Sequence, residues 1–324
     1  MKFNYLSHGK YLTGGFLHEK FYAESLLAFL RSLGHKIEFE QIRENQFFDN
    51  WFAHLQLLLL GLKHSSANIN LLVSRFALPA LIKSIFTNNK YILVFHYEDE
   101  RDKSSFVLKS YFKLFFVLLN LIKPQNLAIL VVAPFWETYF RNKVKDFTVI
   151  YFPNLFSLKE YNSIKAVKQA KRIHLGQWSW KNDNKVFELA DRLNELGYDC
   201  YFSTNNFDES GRFESYEIIA EIRESYLKRM ASSAYTIAFT AINEGWNRVA
   251  HESILLGTNV IGFNSGGLGD LLIESNSFIV EDIEQALEII KSEQTAIIPE
   301  SFIKKYSDMN ASRFLEPSVQ FIRS

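Results

Sequence analysis

Residues 235–267 read YTIAFTAINEGWNRVAHESILLGTNVIGFNSGG. The run 235–239, rich in β-branched and aromatic residues, predicts a strand. Residues 247–256 bring apolar side chains round at helical spacing until Gly257 stops the helix. Residues 259–263 predict a second strand, and Gly266-Gly267 follows as a loop that lets a ligand approach the backbone closely. Strand, helix and strand in so short a stretch are the unit of a parallel sheet with crossover helices.

The alternation continues on both sides. Towards the C-terminus, a short strand near 277–280 and helices at 270–274 and 283–292 are expected. Before residue 235, strands at 172–175 and 199–203 are expected with helices at 183–196 and 216–231. The first half predicts strands at 2–7, 36–40, 69–73, 91–95, 128–132 and 148–152, with a helix at 19–33 after Gly14-Gly15. Residues 157–171 turn polar and lysine-containing, as in a linker or a short surface helix. At 324 residues and 48% apolar content, the chain can bury two cores. The expected division is an N-terminal domain 1–156, a linker 157–171, a C-terminal domain 172–300, and a segment 301–324 that packs back on the N-terminal domain. There is no internal repeat.

A single cysteine, Cys200, excludes an internal disulfide framework and a cysteine-rich metal site, which fits a reducing compartment; a cytoplasmic location is the expectation. The start MKFNYLSHGK lacks a long apolar core and reads as a first strand, not a signal peptide. Net charge is zero, but residues 1–150 hold 18 Lys and Arg against 12 Asp and Glu, and residues 151–324 hold 18 against 24. The basic half also carries two leucine-rich and aromatic stretches, 51–62 and 106–123. Two readings stay open for these: buried helices, or a surface for peripheral contact with the anionic inner face of a membrane. Lys109 and Lys113 interrupt the second stretch, and neither reaches the roughly 18–20 charge-poor residues that span a bilayer. No nucleic-acid partner is expected.

Ligands of open parallel sheets bind beyond the carboxyl ends of the strands, so the loops there carry the candidate chemistry. Gly14-Gly15 precedes a helix and suits a phosphate at its N-terminus, or is an ordinary turn. Gly176-Gln177-Trp178-Ser179-Trp180-Lys181 offers Lys181 as a counter-charge to phosphate, or as a surface lysine. In Glu244-Gly245-Trp246-Asn247-Arg248-Val249-Ala250-His251-Glu252, two glutamates stand eight positions apart, slightly over two helical turns. That spacing leaves Glu244 in the loop, where it can accept from sugar hydroxyls, and puts Glu252 on the helix, where it can accept from a ribose diol. The helix N-terminus between them suits a diphosphate. The alternative is an N-terminal acid and a solvated glutamate. Gly266, Gly267 and Gly269 form a fourth open loop. No metal-ligand spacing is present.

Glu244-Gly245-Trp246 through Glu252-Ser253, then Leu256 to Ile261, then Gly266-Gly267, resembles the E-G-F…E-A…G-x-P-V-I…G-G signature of retaining GT-B glycosyltransferases of family 4. Gly176 to Lys181 resembles that family's G-R-L…K loop, residues 226–234 its helix before the signature strand, Pro153-Asn154 the P-N closing its first domain, and Gly14-Gly15 its first glycine loop. The resemblance is dense in the second half and sparse in the first. It implies an α/β GT-B fold, two Rossmann-like domains facing each other across a cleft. It further implies metal-independent transfer of a sugar from a UDP-sugar or GDP-sugar donor, without a cofactor, to a glycan, polysaccharide or lipid-linked acceptor hydroxyl, with retention. Donor binding falls to Gly14, Gly15, Gly176, Gln177, Lys181, Gly245, Trp246, Asn247, Arg248 and Glu252, with Glu244 and His96 catalytic. By its position alone His96 is a histidine at a strand end, where a structural role is equally open. Glu98, Asp99 and Glu100 beside it bind acceptor hydroxyls or are solvated. Gln177 replaces the family's arginine, Trp246 its phenylalanine and Asp270 the glutamate of its glycine loop, and Arg75 stands near the place of a further histidine. The rival readings are a nucleotide-sugar epimerase, an inverting GT-B transferase and a non-catalytic nucleotide-sugar-binding protein.

Overall fold

Short apolar runs such as INLLV and LAILV are buried at every position, as strands covered by helices on both faces must be. The computed structural model describes residues 1–8, 14–44, 51–96 and 106–324. These form two units, Met1–Asn154 with Asn310–Ser324, and Leu155–Met309.

Unit 1 runs β1 (Lys2–His8), α1 (Gly14–Ser32), β2 (Glu38–Glu44), α2 (Trp51–His64), β3 (Ile69–Val73), α3 (Ala77–Phe86), β4 (Lys90–Phe95), α4 (Phe106–Ile122), β5 (Leu127–Val131), α5 (Pro134–Lys143) and β6 (Val149–Tyr151). Its sheet has the order β2-β1-β3-β4-β5-β6, all parallel. Phe95, Phe115, Trp136 and Phe140 are fully buried in its core.

Unit 2 runs α6 (Leu158–Ser163), β7 (Gln169–Gln177), α7 (Asn184–Glu195), β8 (Asp199–Thr204), β9 (Gly211–Arg212), β10 (Glu217–Ala220), α8 (Arg223–Ser232), β11 (Ser233–Ala238), α9 (Arg248–Leu255), β12 (Asn259–Gly262), α10 (Gly266–Glu274), β13 (Phe278–Ile279), α11 (Ile283–Lys291) and α12 (Glu300–Lys305). The sheet order is β13-β12-β11-β7-β8-β10-β9, parallel except for β9 at the edge. The chain then returns to unit 1 as α13 (Ala311–Arg323), which packs on α1, where the Tyr22 hydroxyl donates to Ser318 Oγ at 2.8 Å.

Several expectations need correction. The helix expected over 216–231 begins only at Arg223, because residues 217–220 pair in parallel with residues 201–204 of β8 and bury Ile218. A backbone that can satisfy its donors on a neighbouring strand has no need of helical bonds. The strand expected at 36–40 is shifted to Glu38–Glu44, in register with all of β1. Within 157–171, α6 buries Tyr161 and β7 starts at Gln169, and α10 starts at Gly266, four residues before the expected helix. The stretches 51–62 and 106–123 lie largely in α2 and α4, and α4 buries Tyr111, Phe115, Phe116 and Leu119 along one side. Among the described residues, no helix is long and apolar enough to cross a membrane.

Candidate functional site

In unit 2 the strand order reverses at β7, which has β8 on one side and β11 on the other. A ligand crevice is expected outside the carboxyl ends of β7 and β11, where the two connections leave in opposite directions. The loops after these strands are tied together: Ala241 N–H donates to Lys181 O at 2.8 Å, and Asp183 N–H to Phe239 O at 3.1 Å. This lacing brings Lys181 Nζ to 3.6 Å from Glu244 Oε2, with the side chains 26% and 12% exposed. Lys181 and Glu244 thus form a part-buried ion pair at the switch point.

Two glycines shape the loops at that sheet end. A Cβ on Gly266 would lie 2.6 Å from the Glu244 carbonyl oxygen, and its φ of +55° is strained for other residues. The contact lets Gly267 N–H donate to Glu244 O at 2.8 Å, so the Glu244 loop leans on the start of α10. Gly176, at φ +84°, lies where the β7–β8 register shifts, next to the exposed Gln177. Asp270 lies within α10.

Asn247 caps α9, its Oδ1 accepting from Ala250 N–H at 2.9 Å, a standard N-cap arrangement. Gly245 is buried just before it. Trp246 turns inward: its Nε1 donates to His251 Nδ1 at 3.0 Å, and its ring packs on Tyr306 with centroids 5.0 Å apart. Burial, with Arg248 nearby, holds His251 well below the usual imidazole range, in its neutral form. Arg248 lies over the Phe156 ring and donates to Glu252 Oε1 at 2.9 Å.

Glu252 is enclosed. Arg223 Nη2 also reaches Oε1 at 2.9 Å, the Tyr161 hydroxyl donates to Oε1 and the Tyr226 hydroxyl to Oε2, each at 3.2 Å, and the side chain is 3% exposed. Burial by itself would raise the carboxyl pKa. The guanidiniums of Arg248 and Arg223, with the hydrogen bonds from Arg223 and Tyr161, outweigh it and hold Glu252 below the usual carboxylate range. Burial, and then the charge of Glu252, push the Tyr161 and Tyr226 phenols upward, so both are donors at neutral pH.

In unit 1, Gly14 opens α1 beyond the end of β1. His96 follows β4, and its Nε2 bonds Glu19 Oε1 at 2.7 Å, while the Tyr5 hydroxyl donates to Glu19 Oε2 at 2.8 Å. A Cβ on Gly15 would come within 3.1 Å of His96 Nε2, so the imidazole occupies the space that this glycine leaves open. His18 meets His96 edge to face at 5.4 Å. Arg75 lies in a turn after β3, its carbonyl accepting from the Tyr111 hydroxyl at 2.8 Å. Glu98, Asp99 and Glu100 lie outside the described residues.

The structure thus gathers Lys181, Glu244, Gly245 and Asn247 at one sheet end of unit 2, and Gly14, Gly15 and His96 at one sheet end of unit 1. It also supplies partners that sequence reasoning missed. Glu19 stands one helical turn after Gly15, a spacing that could have flagged it. Arg223, Tyr161 and Tyr226 carry no local signal, because only the fold of unit 2 brings them to Glu252. Among the described residues, no group of three or more His, Cys, Asp or Glu is placed to hold a metal ion.

No family model matches the chain, and no curated protein matches it. Solved structures do. A glycosyltransferase from Rickettsia africae is 13% identical with a TM-score of 0.63, over 99% of this chain and 98% of that one. The Anabaena protein HepE in complex with UDP is 13% identical with a TM-score of 0.64, over 99% and 100%. At lower similarity, a UDP-GlcNAc 2-epimerase from Methanocaldococcus jannaschii is 13% identical with a TM-score of 0.53, over 98% and 99%. What is shared at such identities is the fold: an α/β chain with two Rossmann-like units, the GT-B fold of nucleotide-sugar glycosyltransferases.

Proposed function

We propose that this chain is a glycosyltransferase that moves a sugar from a nucleoside diphosphate donor to an acceptor hydroxyl, with retention of configuration and without a metal. The observation that carries the reading is the Lys181–Glu244 pair, 3.6 Å apart at the switch point of the unit 2 sheet, beside the N-terminus of α9. In the reaction, the bond between the anomeric carbon and the diphosphate oxygen breaks and its electron pair leaves with the diphosphate. The acceptor oxygen bonds to the same carbon, and its proton passes to the departing phosphate. Lys181 and the α9 N-terminus offset the negative charge that develops on the leaving group. Glu244 accepts from donor-sugar hydroxyls and stabilises positive charge on the ring.

The other roles rest on the family resemblance. Gly14, Gly15, Gly176, Gln177, Gly245, Trp246, Asn247 and Arg248 are assigned to the donor, and His96 to the donor sugar near the reacting carbon. A ribose hydroxyl that bonds Glu252 has to reach a carboxylate that is 3% exposed and already meets four protein groups, three of them on Oε1. The acceptor is proposed to be a glycan, polysaccharide or lipid-linked hydroxyl, and the cytoplasm the place of action.

A thermal-shift screen against UDP, GDP, ADP and their sugar conjugates, followed by product analysis, tests the reading. Stabilisation by one nucleotide and EDTA-resistant transfer to an added acceptor support it. The epimerase neighbour makes a second outcome concrete: a donor converted to its 2-epimer without any acceptor would replace transfer with epimerisation.

A further inference from the structure

Helices α2, α3 and α4 follow one another across unit 1, α2 packing on α3 and α3 on α4. None of the three carries an Asp or Glu, whereas they hold Lys63, Lys83, Lys109 and Lys113. On α4 the inner side is Tyr111, Phe115, Phe116 and Leu119. The outer side is a second stripe, Phe106, Lys109, Lys113, Val117 and Leu121, spaced three and then four residues apart, so that all five lie on one face. Phe106 is 81% exposed and Leu121 76%. Phe86, at the end of α3, is 79% exposed, and Leu59 on α2 is exposed too. Large apolar groups left in water on three helices that pack one on the next mark an interaction surface, with the α4 stripe as its best-defined part.

We propose that this face docks on the surface of an anionic phospholipid bilayer. The charge pattern decides the occupant. Apolar residues interleaved with lysines and free of carboxylates match an interface in which acyl chains take the apolar groups and phosphates take the ammonium groups. A second copy of the chain fits poorly, because a two-fold contact through this face sets Lys109 and Lys113 against their own like. The inference stands apart from the transfer chemistry, since no residue assigned to donor or reaction lies in these helices.

Co-sedimentation of the full chain with vesicles tests it, comparing phosphatidylcholine containing phosphatidylglycerol with phosphatidylcholine alone. The chain is expected to pellet with the mixed vesicles only and to be released as ionic strength rises. The double variant Phe106→Ser/Leu121→Ser loses binding, and Lys109→Glu/Lys113→Glu weakens it by at least about tenfold. Because these side chains are exposed, both variants keep the parent thermal midpoint, which a melt confirms before binding is measured. A parent chain that stays in solution with anionic vesicles overturns the proposal, as does a folded double variant that pellets like the parent. Self-association in sedimentation velocity that Leu121→Ser abolishes, without vesicle binding, assigns the face to a second copy and also overturns it.

Discussion

Glu244 and Glu252 stand eight residues apart, and their surroundings are opposite. Glu244, in the loop after β11, pairs with Lys181 at 3.6 Å, and both side chains keep some exposure. Glu252, inside α9, is sealed by Arg223, Arg248, Tyr161 and Tyr226. A carboxylate that is to meet a ligand needs access and a partner loose enough to be shared. One that holds a fold together needs neither, and the contacts of Glu252 join α6, α8 and α9 within unit 2.

The contrast should be breakable from either side. Glu252→Ala leaves two guanidiniums around a buried gap and is expected to cost about 3–5 kcal/mol of stability, read as a lower urea midpoint of unit 2. If that variant melts like the parent, the enclosure is not structural and the ribose assignment gains. Glu244→Gln is expected to lower kcat for transfer about a hundredfold while stability moves by no more than about 0.5 kcal/mol. An unchanged rate would remove Glu244 from the reaction. Lys181→Met should lower kcat by about tenfold or more, less for donors whose leaving group is a weaker base.

Smaller effects sharpen the comparison. Because Glu252 is held below its ordinary pKa in the folded state, its contribution is complete above the unfolded value of about 4.3 and disappears as pH falls through the folded value. Stability measured from pH 6 downward should therefore fall less steeply in Glu252→Gln than in the parent, once the lower plateau of the variant is subtracted; parallel curves would contradict the charged assignment. In unit 1, Gly15→Ala places a methyl 3.1 Å from His96 Nε2 and should displace the imidazole. The expected result is an activity loss of a few fold with a stability change of about 1 kcal/mol or less, and full activity would separate His96 from the reaction.

The difference between the two glutamates was not legible in the chain. Spacing assigned Glu244 to a loop and Glu252 to a helix, as the structure has them, but the partners of Glu252 come from positions 161, 223 and 226, which only folding brings to α9. The strand at Glu217–Ala220 was missed for a similar reason: residues 216–231 carry apolar groups at a helix-like spacing, and pairing with β8 is what makes four of them a strand. The inward turn of Trp246 depends on His251 and Tyr306, the second of them sixty positions away.

Local order is what the sequence determined by itself. Alternating apolar runs and amphipathic segments, punctuated by glycines, specified two parallel sheets, because each element's hydrophobic period is written in consecutive residues. The glycine loops and the position of Glu244 beyond a strand end followed from the same reading. Which charges are shared and which are sealed was decided only by tertiary structure. That outcome depends on desolvation and on partners distant in sequence, and neither has a signature within a single element.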